Sequence, residues 1–285
     1  MSLSFSQLLT SPLTWVVFVF GSIFGSFFNV CIYRIPRGNF FQSHRSFCPH
    51  CQTPIPFWLN IPLLSFIILR GRTHCCRQPL SWQYPIVELL AAILLVIVFW
   101  RFPFLRWQEA RIVWNGLEGI RFLHAALFTS LLLIISVIDF HHMIIPDSLS
   151  ISMIAATPVV ILVHPELNWM SGMMGAIMGA AVVYLIAWLY ILIRRREGIG
   201  MGDAKLLAAM GGWLGVEALF PIFLYGSVTG SLVGIGLLMA KRTMNLQTEL
   251  PFGPFLAFGA TLHLLLPLHW HELVYKLHTL VSPQL

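Results

Sequence analysis

Only 11 of the 285 residues are Asp or Glu, and two of these stand where an apolar run meets its end. Asp139 closes LFTSLLLIISVID and is followed by FHHMIIPD, and Asp203 lies in GIGMGDAKLLAAMGG where a new apolar segment begins. A carboxylate inside a spanning helix costs about 2.5–3.5 kcal/mol on insertion scales, so each one is by default a functional hypothesis. Two carboxylates brought together at low dielectric share a proton. The charged one then activates a water while the neutral one donates to a peptide carbonyl, and the titration belongs to the pair. That is aspartyl-protease chemistry. A plainer reading runs beside it: Asp203 caps a helix whose first turn is Ala204–Leu207, Asp147 after Pro146 caps another, and Asp139 pairs with Lys205 or an arginine as structural glue. Ion transporters also hold intramembrane carboxylates. Gly198, Gly200 and Gly202 lean towards a peptidase, because bare backbone lets an extended substrate approach, yet they equally fit a helix-breaking linker.

Four of the five cysteines (Cys48, Cys51, Cys75 and Cys76) fall in one short polar segment, while Cys31 sits alone in an apolar run as a packing residue. A Cys-x-x-Cys turn such as Cys48–Cys51 points two thiolates at one ion, and two such pairs close a tetrahedral zinc site. The clustering favours metal ligands in a reducing compartment over disulfides. The second half reads RTHCCRQPLS, so His74 rivals Cys75 as a ligand, because alternate residues of an extended segment point the same way. A site that has lost its metal is the competing reading.

The elements that must position these groups are dictated by composition. Some 58% of the chain is hydrophobic and 10% is charged, against about 25% charged in a typical soluble domain. With 22 Phe and 10 Trp, the apolar surface exceeds what one aqueous core can hide. A soluble globular enzyme, a disordered chain and a secreted disulfide scaffold are set aside, and the lipid bilayer is the solvent. The net charge of +6, from 17 Lys and Arg against 11 acids, reads as loop topology, with no nucleic acid as partner.

A spanning helix needs about 20 mostly apolar residues, and the expected class is an all-α polytopic membrane protein of about eight spans. These are residues 12–33, 85–100, 123–140, 147–164, 171–193, 204–217, 218–240 and 252–268. Arg34, Arg37, Arg45, Arg70, Arg72 and Arg77 place the stretch 34–84 in the cytoplasm. Alternate loops then put Arg194–Arg196 and Lys241–Arg242 inside too. The loop 101–121, with four Arg and two Glu, resists this rule. The organisation expected is a first transmembrane helix (1–33), a cytoplasmic cysteine-rich insertion (34–84) and a polytopic membrane domain (85–285). Asp139 and Asp203 fall at the same, cytoplasmic, face.

GMGDAKL at Gly200–Leu206 resembles the Gly-x-Gly-Asp signature of intramembrane aspartyl proteases, in the version carried by the prepilin peptidases, or type IV leader peptidases. Other landmarks of that family appear in order: GSFFNVCIYRIPRG at 25–38, FCPHC at 47–51, YPIVELLAA at 84–92 and IDFHHMIIPD at 138–147. The resemblance covers residues 21–260. It implies a multi-pass enzyme of the bacterial inner membrane with its active site facing the cytoplasm. It further implies cleavage of type IV prepilin or type II secretion pseudopilin precursors after a Gly, followed in many members by N-methylation of the new N-terminal residue with S-adenosylmethionine. Asp139 and Asp203 map onto the catalytic pair, with Gly200, Gly202, Lys205 and Glu88 as substrate-contacting or supporting residues. Lys205 would lower a carboxylate pKa or hold substrate backbone. Glu88 would enjoy a helix N-terminus, and its family position suggests a role in methyl transfer. Zinc-binding members carry a second Cys-x-x-Cys; counted back from Pro79, Cys76 takes its second position and Thr73 stands where its partner would be. The expected ligands are Cys48, Cys51, Cys75 and Cys76. Two other functions stay open here, a peptidase without methylation and an ion or metal transporter.

Overall fold

A computed structural model describes residues 11–38, 48, 51, 53–56, 59, 61–108, 111–194, 200–240 and 250–266. Arg45, Glu109, Arg195, Arg196, Gly198, Lys241 and Arg242 lie outside the described residues. Each apolar run becomes a helix. These are α1 (Pro12–Arg34), a short α2 (Leu64–Ile68), α3 (Gln83–Arg101), α4 (Gly116–His142), α5 (Asp147–Val163), α6 (Trp169–Arg194), α7 (Met201–Leu214), α8 (Leu219–Ala240) and α9 (Gly253–Leu265). Their ends follow local chemistry. Pro12 opens α1 and Arg34 closes it. Asn115 caps α4 by accepting from the Leu117 and Glu118 N–H groups, satisfying donors that the first turn leaves free.

Five helical stretches are long and apolar enough to cross a membrane: Pro12–Arg37, Gln83–Arg101, Gly116–His142, Trp169–Ile193 and Val216–Ala240. Of the eight expected spans, these five are the long ones among the described residues. α5 and α9 are shorter apolar helices of 17 and 13 residues, and α7 has 14. The expectation of an all-α chain is corrected at one place. Residues Leu105–Gln108 (β1) and Arg111–Trp114 (β2) pair antiparallel, with Leu105 opposite Trp114. This hairpin occupies the arginine-rich loop that resisted the charge rule. Arg121 there is neutralised by Glu118 and Glu166, and Arg101 donates to the Leu265 carbonyl.

α7 is the axis of the larger core, buried at nearly every position from Ala204 to Trp213 and surrounded by α4, α5, α6, α8 and α9. Lipid gives no hydrophobic drive between helices, so close backbone approach through small residues takes its place. A Cβ on Gly175 of α6 would lie 2.1 Å from the Gly211 carbonyl oxygen, and one on Gly179 would lie 2.5 Å from that of Leu207. The same device joins α1 to α3, where Gly21 and Gly25 meet the backbone of Ala92 and Glu88. Phe28, Ile32, Val87, Ala91, Ile134 and Ile138 then form a second core that ties this pair to α4. The apolar windows of α6 and α8 are only 11% buried, against 44% in α1, α3 and α4, so these two present most of their side chains to lipid.

Candidate active site and cysteine centre

α4 ends at a left-handed Met143 (φ 55) whose N–H returns to the Asp139 carbonyl. Pro146 then starts α5 at once. This tight reversal holds Asp139 at the end of the bundle, buried. Its Oδ2 accepts the Gly253 N–H at 3.1 Å, so a residue 114 positions away supplies its fixed donor. A Cβ on Gly253 would fall 2.6 Å from that oxygen and 3.3 Å from Ile145 Cδ1. Ile145 also faces Gly202, where a Cβ would lie 3.0 Å from its own.

Asp203 stands in the first turn of α7, where the helix dipole favours a negative charge. Its carboxylate has no hydrogen bond or ion pair among the described residues. Gly200, and not Asp203, occupies the cap position, so the capping alternative does not apply. Asp139 and Asp203 thus flank the Gly202–Ile145–Gly253 contact and interact electrostatically.

The other expected residues sort differently. Lys205 donates to Asp147 at 2.6 Å, so its partner is the exposed Asp147, and the alternative of Asp139 pairing with Lys205 is set aside. Gly202 is required by the packing of Ile145, whereas Gly200 is exposed and has room for a side chain, its nearest neighbour being Asp203 Oδ2 at 3.7 Å. Glu88 lies past the first turn of α3, away from the helix N-terminus, and is buried. Its Oε2 accepts the Leu63 N–H at 2.8 Å, at a residue held at positive φ. Gly253 and Ile145 were not singled out from sequence. Pro254 marks a helix start there, but nothing in the chain's order points from it to Asp139.

In the insertion, the sulfur atoms of Cys48, Cys51, Cys75 and Cys76 lie within 4.8 Å of one another. A tetrahedral zinc with Zn–S bonds of about 2.3 Å sets its sulfurs about 3.8 Å apart. Cys48 and Cys76 stand at 3.8 Å, and Cys51 and Cys75 at 3.1 Å, so this donor set fits a zinc-like ion. The second pair needs only a small opening. Cys75, not His74, joins the group. Two adjacent cysteines reach one point because the chain turns back sharply: Arg77 takes a positive φ of 55° and the Arg77 N–H returns to the Thr73 carbonyl. Hydrogen bonds from Thr53 and then Cys75 hold the Cys51 thiol down to about 6, while bonding to Cys51 pushes Cys75 up to about 12.

Comparison with known proteins gives a consistent picture. Residues 19–102 match the bacterial peptidase A24 N-terminal domain, and residues 126–235 match the type IV leader peptidase family. A protein of Aeromonas hydrophila is 34% identical over 285 residues, covering 90% of this chain and 93% of its own. One of Burkholderia pseudomallei (strain K96243) is 35% identical over 282 residues, covering 90% and 86%. A third, of Dickeya chrysanthemi, is 32% identical, covering 90% and 94%. All three bear the name prepilin leader peptidase/N-methyltransferase. No solved structure matches.

Proposed function

Because the chain belongs to the type IV leader peptidase family, we propose that it removes the leader of type IV prepilin or pseudopilin precursors and N-methylates the residue thereby exposed. The cut follows a Gly at the cytoplasmic face of the bacterial inner membrane. The observation that carries this reading is the convergence of Asp139 and Asp203 at one end of the bundle. One is fixed by the Gly253 N–H, and the other is without a hydrogen bond or ion pair among the described residues.

In the reaction, a water lies between the carboxylates. The ionised one takes its proton as the oxygen attacks the scissile carbonyl carbon, and the protonated one gives a proton to the carbonyl oxygen. Collapse of the tetrahedral adduct breaks the C–N bond, and the amine leaves with a proton from the pair. Gly200, exposed beside Asp203, leaves room for extended substrate backbone. The three shorter helices complete eight membrane segments, with residues 34–84 on the cytoplasmic side. Cys48, Cys51, Cys75 and Cys76 would hold a structural zinc, which folds a segment too small to bury a core of its own. S-adenosylmethionine supplies the methyl group.

Membranes containing the chain, incubated with a purified pilin-type precursor, should shorten it by the leader. Mass spectrometry of the product should show one added methyl group. An unchanged precursor would overturn the peptidase reading and favour transport, and a shortened but unmethylated product would leave only the peptidase.

A further inference from the structure

Residues 56–69, PFWLNIPLLSFIIL, carry no charge across 14 positions, too few to span a bilayer and of the length of an interfacial or re-entrant segment. The hydrolysis proposed above uses none of them. Two contacts measure how deep this segment sits. The Leu63 N–H donates to Glu88 at 2.8 Å, and Glu88 lies five residues beyond Gln83, where α3 starts. At 1.5 Å per residue that is about 7 Å along a helix whose 19 residues nearly fill a hydrocarbon core of about 30 Å. The Phe66 ring stands 5.1 Å from that of Trp82, the residue just before α3. α2 therefore lies level with the first turns of a spanning helix and not out in the aqueous phase.

The outward side of α2 is apolar. Leu64, Ile67 and Ile68, at i, i+3 and i+4, share one face, and Ile67, Ile68 and Trp82 are 69, 65 and 70% exposed. Phe66, on the other side, packs on Trp82 and against Gly71, where a Cβ would meet its ring at 3.1 Å. From Trp82 the exposed set continues through Ile86, Leu89 and Leu90, which follow at i+4, i+7 and i+8 on a single face of α3. One apolar surface thus passes from a lipid-facing stripe of α3 onto α2. The charge beside it has one sign. Arg70, Arg72 and Arg77 are exposed, no ion pair among the described residues involves them, and residues 34–84 contain no acid. An apolar face at this depth next to arginines without acidic partners matches the boundary between acyl chains and headgroups in an anionic leaflet.

Resting on the cytoplasmic placement of residues 34–84 proposed above, we infer that Leu64, Ile67, Ile68 and Trp82 dip into the inner leaflet and that Arg70, Arg72 and Arg77 hold the phosphate of an anionic phospholipid. Lipid then clamps the cysteine segment to the membrane, in addition to its covalent connections to α1 and α3.

Photo-cross-linking of the full chain in bacterial membranes tests this. With Ile68→p-benzoylphenylalanine, irradiation should join position 68 to phospholipid. Combining that change with Arg70→Gln, Arg72→Gln and Arg77→Gln should lower the ratio of anionic to zwitterionic adduct about fivefold or more, the effect of one arginine near a charged surface. Unmutated protein in vesicles holding phosphatidylglycerol with a photoactivatable group high in its acyl chain should take label in peptides containing residues 61–69, which covers the case of a variant that fails to fold. An adduct to another protein at position 68, or residues 61–69 free of label while α3 is labelled, would overturn the inference. An unchanged adduct ratio in the arginine variant would overturn the headgroup contact. Neither readout involves cleavage or methylation, so failure here leaves the proposed function standing, and an inactive protein that still takes the label leaves this contact standing.

Discussion

Replacing Gly253 by alanine tests whether Asp139 is held where the chemistry needs it. The added Cβ would stand 2.6 Å from Asp139 Oδ2, whereas ordinary contact begins at 3.4 Å. Oxygen and methyl must therefore separate by about 0.8 Å. Asp139 is only 5% exposed, so the carboxylate has little space for retreat except by rotating away from the Gly253 N–H that it accepts at 3.1 Å. A displacement near 1 Å costs about 100-fold in rate, or about 2.7 kcal/mol at 1.36 kcal/mol per tenfold. Stability should fall by about 1–3 kcal/mol, the usual cost of forcing a methyl against a packed group, because Gly253 is buried at the start of α9, so cleavage is compared on folded protein only. The assay is precursor cleavage by purified protein at saturating substrate, with thermal unfolding followed in parallel. Gly236→Ala is the matched control, since nothing lies within 4 Å of a Cβ there. Cleavage by Gly253→Ala within threefold of wild type would refute the claim that this contact positions Asp139.

Other expectations follow from the same geometry. Asp139→Asn and Asp203→Asn should each reduce cleavage to background while the protein still elutes as a folded species; a variant that cleaves at the wild-type rate removes that residue from the pair. Cys48→Ser should lower bound zinc, measured by elemental analysis, from about one equivalent to under half, and equal metal content in mutant and wild type would exclude the four-cysteine site. Lys205→Met should change unfolding free energy by no more than about 1 kcal/mol, because its ion pair with Asp147 is largely exposed and such pairs contribute little; a larger loss would indicate a second partner. Gly211→Val should abolish accumulation of folded protein in the membrane, since even a methyl there would sit 2.2 Å from the Gly175 carbonyl oxygen, and backbone on both sides cannot yield as a side chain does.

Much of this arrangement was legible because charge is so scarce. Arg34, Arg101 and the Pro residues at 12, 146 and 254 punctuate the apolar runs, and the eight apolar segments became helices, five long and three short. Asp139 and Asp203 stood out for the same reason. Contacts between distant segments were not legible. The donor to Asp139 is a backbone N–H 114 residues on, and a backbone group carries no mark in the sequence. The hairpin at 105–114 was hidden because Leu-Arg-Trp-Gln and Arg-Ile-Val-Trp are short and charged, which reads as loop. The choice between His74 and Cys75 rested on an extended strand, whereas the chain turns through a left-handed Arg77, which brings adjacent cysteines together.

The three short helices bear on the surrounding membrane. At 1.5 Å per residue, α5, α7 and α9 (17, 14 and 13 residues) measure about 25, 21 and 20 Å, against a hydrocarbon core of about 30 Å. Where α5 and α9 meet lipid, the bilayer must compress, or water must enter, by some 5–10 Å, while α7 lies inside the core. Asp139 and Asp203 stand where α5, α7 and α9 begin, so the thinned patch and the proposed hydrolytic centre coincide. A precursor whose cleavage point lies just outside the hydrocarbon could then meet the aspartates without pulling its apolar segment out of lipid, and the water that hydrolysis consumes is at hand. Bilayer thickness thereby becomes a determinant of turnover, set by how few residues the chain spends on these three helices.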